Sequence, residues 1–177
     1  MTTVYSVGHS IRTAPELLEL LSEAGIATLV DVRRHPGSKR NPQYNRDALE
    51  RSLSGAGIGY VWLGEGLGGR QRESVPVEQS ANRAWTVPAF RHYADAMSTP
   101  EFQRAFEELE ALARSTPTGV LCAERLWWKC HRRLLADLLS VRGFEVRHLL
   151  EPSKQTHHEL SEWARVQDGV LSYPGLL

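Results

Sequence analysis

Cysteine is scarce in this chain: two in 177 residues, Cys122 and Cys130. Two cysteines exclude a disulfide framework and suit a reducing compartment. Long apolar runs are missing as well. None approaches the roughly 18 residues that a membrane span requires, so no membrane partner is expected. The opening "MTTVYSVGHS" has neither a basic n-region nor an apolar core. No secretory signal is therefore expected, and a cytoplasmic location is. Repeats, low-complexity tracts and linkers are also lacking, which predicts one domain over residues 1–177, long enough to bury a core. Net charge is absent too. Lys and Arg number 21 and so do Asp and Glu, so overall charge does not announce a nucleic-acid partner.

What is present is local. Arg33, Arg34, Lys39, Arg40 and Arg46 lie between Asp31 and Asp47 with no carboxylate among them. Arg125, Lys129, Arg132 and Arg133 lie between Glu124 and Asp137 in the same way. Charge runs of this kind are usually solvated faces, and they are also how a chain grips phosphates.

Short apolar runs alternate with amphipathic stretches. "TVYSVG", "IATLVDVR", "IGYVWL", "TGVLCA" and "FEVRHLL" read as strands. "TAPELLELLSEAG" reads as a helix with Thr13 as cap, Pro15 in the first turn and Gly25 as terminator. Further helices are predicted over "NRDALERSLSGAG" with Asn45 as cap, over "PAFRHYADAMS" and "PEFQRAFEELEALARS", and from about Trp128 to Val141. "PSKQTHHELSEWARV" is expected to contain a helical stretch, and Gly64 to Val87 a long irregular loop.

Strands alternating with helices predict an α/β fold, a mostly parallel sheet flanked by helices in a Rossmann-like arrangement. The near-continuous apolar strands fit burial on both faces. In such sheets ligands bind outside the carboxyl ends of the strands. Five segments should gather there: "GHS", "DVRRHPGSKRNPQYN", "WLGEGLGG", "CAERLWWKCHRR" and "HLLEPSK". Nearly all the unusual chemistry of the chain lies in those five.

Asp31, near the end of a buried strand, must be paired or functional. It either forms an ion pair with Arg33 that ties two loops together, or it activates water. Glu124 lies just past another strand, so two carboxylates are candidates to face one crevice. Arg132, one turn into the following helix, either pairs with Glu124 or reaches a phosphate. His9 follows Gly8 at the crevice mouth as an orienter or proton donor, and Ser10 is a candidate ligand or cap. Arg33, Arg34, Ser38, Lys39, Arg40, His131 and Arg132 suit phosphate oxygens. Tyr44, Trp62, Trp127 and Trp128 offer flat surfaces for a base, although aromatics usually belong to cores.

Two motifs are weaker. "GEGLGG" satisfies G-x-G-x-x-G at Gly64, Gly66 and Gly69, but it does not follow the first strand, so an anion-tolerant loop is expected rather than a dinucleotide site. Cys122 and Cys130 stand eight positions apart, with His131 adjacent. Zinc sites use closer pairs and four ligands, and Arg125, Lys129 and Arg132 oppose a dication. No metal and no cofactor are therefore expected. A reactive thiol is a second option, because basic neighbours and a helix start lower a thiol pKa.

"SVGHS", "LVDVRRHPGS", a "GLGG" loop and "LCAERLWWKCHRRLLAD", in this order and spacing, resemble the domain-of-unknown-function family 488, small prokaryotic α/β proteins. The resemblance runs from Ser6 to about Leu150. It implies the α/β fold and places the site on Gly8, His9 and Ser10, on Asp31, Arg33, Pro36 and Ser38, and on Cys122, Glu124, Cys130, His131 and Arg132.

These observations lead to the expectation of a cofactor-independent hydrolase acting on a base in nucleic acid (DNA rather than RNA) or on a related nucleotide, of N-glycosylase type with a possible role in DNA repair. Asp31, Glu124 and His9 would do the chemistry. A thiol- or metal-dependent protein using Cys122, Cys130 and His131, or a nucleic-acid-binding module without catalysis, are the alternatives.

Overall fold

A computed structural model describes residues 1–175. Six strands form one sheet: β1 (Thr3–Gly8), β2 (Thr28–Asp31), β3 (Gly59–Trp62), β4 (Thr118–Cys122), β5 (Glu145–Glu151) and β6 (Lys154–His157). Their order is β3-β2-β4-β1-β5-β6, with β1 to β5 parallel and β6 antiparallel at the edge. The crossovers carry α1 (Ala14–Glu23), α2 (Arg46–Gly55), the single turn α3 (Gly64–Leu67), α4 (Pro88–Ala96), α5 (Pro100–Ser115) and α6 (Arg132–Val141).

The two faces of the sheet follow from strand alternation. Val4, Val30, Val120 and Val146 point toward Phe102, Phe106, Leu134, Leu135 and Leu139 from α5 and α6. Val7, Leu29, Leu121 and Leu149 point the other way, toward Leu17, Leu21, Leu49 and Leu53 from α1 and α2. Both faces are thus covered, which is why the strands read as continuous apolar runs. α1 begins as predicted: the Glu16 amide donates to the Thr13 hydroxyl and the Thr13 amide to the Glu16 carboxylate.

Elsewhere tertiary contacts override the local pattern. Asn45 makes no side-chain cap bond to α2; its Oδ1 accepts instead from the Ser38 amide at 2.6 Å, bracing the loop after β2. α6 starts at Arg132, after a 3₁₀ turn at Trp127–Lys129, rather than at Trp128. The stretch from 152 to 166 holds no helix. β6 folds back on β5, and β7 (Arg165–Gln167) pairs with β8 (Val170–Ser172). Asp168 and Gly169 between them have φ of 52° and 78°, the Asp-Gly hairpin signal. A buried network fixes this segment: His148 Nε2 to His158 Nδ1 at 3.0 Å, His158 Nε2 to Asp137 at 2.8 Å, and the Tyr173 hydroxyl to Asp137 at 2.8 Å. Those bonds reward an extended path that local helical propensity does not.

No helix among the described residues is long and apolar enough to cross a membrane.

Candidate active site

Because β1, β2 and β4 are parallel neighbours in register, Gly8 lies beside Cys122 and Asp31 beside Leu121. Their carboxyl ends therefore open on one edge. The loop after β4 passes directly over β1. A Cβ at position 8 would overlap the Glu124 carbonyl, and one at position 64 would overlap that of Arg33, so both loops need glycine there. His9 and Ser10 amides donate to the Cys122 and Ala123 carbonyls at 2.9 Å, extending the β1–β4 ladder past the strand ends.

Asp31 is 0% exposed and has four donors. Its Oδ1 accepts from the Arg33 amide at 3.0 Å and Arg33 Nε at 2.9 Å; its Oδ2 accepts from Arg33 Nη2 at 2.6 Å and the Tyr60 hydroxyl at 2.7 Å. Of the two sequence readings, the forked ion pair is the one these bonds form. Its carboxylate has no lone pair facing open space. Burial alone would depress the Arg33 pKa, but the bonds and charge of Asp31 outweigh it and raise the value. Burial and the Asp31 bond likewise push the Tyr60 phenol up.

Arg33 Nη1 donates to the Tyr44 carbonyl at 2.8 Å and to His9 Nε2 at 3.3 Å. His9 Nδ1 donates to the Ser10 carbonyl at 2.9 Å, so the ring is fixed with its proton on Nδ1. Burial lowers its pKa to about 4, and the Arg33 charge adds to that against the Ser10 bond. His9 is neutral at pH 7 and accepts at Nε2. That geometry suits an orienter of Arg33, its one ring proton held by the Ser10 carbonyl.

Above this layer lies a crevice of about 660 Å³. Arg33, Arg34, Glu124 and His131 line it, as expected from the sequence; Asp31 does not. Arg70, Lys129, His35 and Phe90 line it too. Arg70 was not singled out from the sequence, although it follows "GEGLGG" directly; in the structure it is held at φ 58°. Phe90 belongs to α4, whose approach to the crevice no local pattern encodes. Glu124 is exposed; one oxygen accepts from the Leu126 amide at 3.0 Å.

Other candidates are engaged elsewhere. Tyr44 is buried, stacked on His9 at 4.1 Å, with its hydroxyl donating to the Arg12 and Thr13 carbonyls. Trp127 stacks on His148 at 4.0 Å. Trp62 donates to the Arg33 carbonyl at 2.8 Å under the Arg46 guanidinium. Tyr44 has no exposed face; Trp127 is half-buried and lines a different hollow, beside Arg133, while Trp128 is 41% exposed. Ser10 lines a separate hollow beside Arg12. Ser38 Oγ accepts from the Asn41 amide, while Lys39 and Arg40 are exposed on the same loop. Arg132 is 1% exposed and pairs with no carboxylate among the described residues: it donates to Ser6 Oγ at 2.9 Å and to the Glu124 carbonyl, tying the loop down.

Buried under the crevice, the two thiols share His131 Nδ1, at 3.5 Å from Cys130 Sγ and 4.0 Å from Cys122 Sγ. Their mutual hydrogen bond pushes Cys122 up and Cys130 down; His131 and Arg132 add to the lowering of Cys130.

The fold and the edge crevice define an α/β protein with a basic site at the carboxyl ends of a parallel sheet. More particularly, the family model described as "Domain of unknown function DUF488" matches residues 13–139, and the chain belongs to that family. No curated protein and no solved structure matches it.

Proposed function

We propose that the crevice holds a phosphate-bearing substrate, a nucleic acid (DNA first) or a nucleotide, and that Glu124 assists hydrolysis of the bond between sugar and base. One charge pattern carries this reading. Among the described residues Glu124 is the only carboxylate lining the crevice and forms no ion pair, and Arg34, Arg70 and Lys129 share the same walls. Arg33 is already neutralised by Asp31, so the other three cations supply the phosphate grip.

In this reading Glu124 takes a proton from water as the oxygen bonds to the anomeric carbon. The carbon–nitrogen bond breaks, its electron pair leaves with the base, and the base takes up a proton. Asp31 and His9 act one step back, holding Arg33 and the floor of the crevice. Phe90, which lines the crevice, is the aromatic surface for an extruded base, with Trp128 exposed on the loop after β4.

Anisotropy of a labelled oligonucleotide against salt, with chromatography of released base, tests the reading. Arg34→Gln, Arg70→Gln and Lys129→Gln should each lower the slope of log affinity against log salt by about 0.9 on duplex DNA. Salt-dependent binding with no released base would leave a binding module. Unchanged slopes in all three variants would remove the phosphate reading.

A further inference from the structure

Cys122 ends β4, and Cys130 closes the 3₁₀ turn ahead of α6. The intervening loop folds back and brings both sulfurs to one point on the crevice floor. Cys122 Sγ, Cys130 Sγ and His131 Nδ1 all lie within 4.8 Å of one another. His131 Nε2 is buried with no partner among the described residues, so within them the ring engages polar neighbours through the nitrogen that faces the sulfurs. Gly69 keeps that nitrogen clear, since a Cβ there would come within 3.0 Å of it.

A tetrahedral zinc ion, with Zn–S of about 2.3 Å and Zn–N of about 2.0–2.1 Å, holds its ligand atoms roughly 3.5–3.8 Å apart. The two sulfur–nitrogen separations here are 3.5 and 4.0 Å and all three atoms lie within 4.8 Å of one another, so sub-ångström shifts bring them to that spacing. We propose that Cys122 Sγ, Cys130 Sγ and His131 Nδ1 bind one thiophilic divalent cation of the zinc class, its fourth position open to the crevice.

Two thiolates would cancel the charge of the ion. Arg132, next to His131 in the chain, is buried with no carboxylate partner among the described residues, and thiolate sulfur would give it an anionic neighbour. All three ligands line the crevice, so the open position faces bulk water or substrate, the arrangement of catalytic rather than closed structural zinc. The inference goes beyond the reading of Glu124 and does not depend on what the substrate is.

Cobalt(II) titration of the metal-depleted, reduced full-length chain tests it. One equivalent should give thiolate-to-cobalt charge-transfer absorption and the strong visible bands of tetrahedral cobalt, and one equivalent of zinc should abolish both. Cys130→Ser and His131→Gln, checked for folding by circular dichroism, should lose the charge-transfer band or the tetrahedral bands. Glu124→Gln should bind cobalt like the wild type, so loss of base release and loss of metal binding are read separately. No cobalt spectrum with both thiols titratable would overturn the proposal. So would identical spectra in every variant, or a Cys122–Cys130 disulfide forming in air with no metal uptake, which would make the pair redox-active instead.

Discussion

Replacing Asp31 by Asn isolates the contact on which the crevice floor depends. Asp31 is fully buried and Arg33 nearly so, and four hydrogen bonds converge on the carboxylate. Asn keeps the shape but turns one oxygen into a donor facing Arg33 and removes the charge. Breaking a buried ion pair from one side costs about 3–5 kcal/mol, because the partner charge is stranded. For a chain of this length each kcal/mol moves Tm by about 2–4 °C, so the melt should fall by roughly 6–20 °C. Replacing Arg33 by Met in the same chain removes the stranded charge and should recover part of the loss. Thermal melts followed by circular dichroism on the two single variants and the double give the coupling directly. A loss under about 1 kcal/mol for Asp31→Asn would refute the structural role. An unchanged Tm with turnover abolished would move Asp31 back among the groups doing chemistry.

Acid should weaken the fold through two buried histidines. His9 and His148 have pKa values lowered by burial to about 4 and about 2, against 6.5 when unfolded. The unfolded chain therefore binds more protons below pH 6.5, and stability present at pH 7 is lost as pH falls. Between pH 7 and pH 5 each histidine should cost about 2 kcal/mol. Urea midpoints at the two pH values measure this, and equal midpoints would contradict the buried neutral rings. Gly8→Ala should cost about 1–3 kcal/mol or more through overlap with the Glu124 carbonyl. A Gly8→Ala melt matching the wild type would mean the loop after β4 gives way freely.

Strand alternation made the sheet legible, because each of β1, β2 and β4 alternates between two apolar faces and its chemistry-bearing residues come immediately after. The same logic brought Arg33, Arg34, Glu124 and His131 to one crevice. It failed where a side chain's partner is set by packing from a distant element. Nothing local says that Tyr44 stacks on His9 or Trp127 on His148, so both read as free surfaces. Asp31 and Arg33 were legible as a pair, but Tyr60, from the next strand over, was not. The C-terminal hairpin was missed although Asp168-Gly169 signals it; a helical stretch was expected within "PSKQTHHELSEWARV" instead. For Cys122 and Cys130 the eight-residue spacing argued against zinc; what spacing does not show is that the loop turns back and brings both sulfurs within 4.8 Å of His131 Nδ1.

Base release by wild type and by Glu124→Gln, on the same oligonucleotide and nucleotide substrates, tests the central claim most directly. Glu124 is exposed, forms no ion pair among the described residues, and Gln keeps an oxygen for the Leu126 amide, so the change should leave stability within about 0.5 kcal/mol. Free base, separated by chromatography, should accumulate with the wild type and fall by roughly 100- to 10,000-fold in the variant. Equal rates in the two proteins, or no release by either, would contradict the assignment of the crevice to this chemistry.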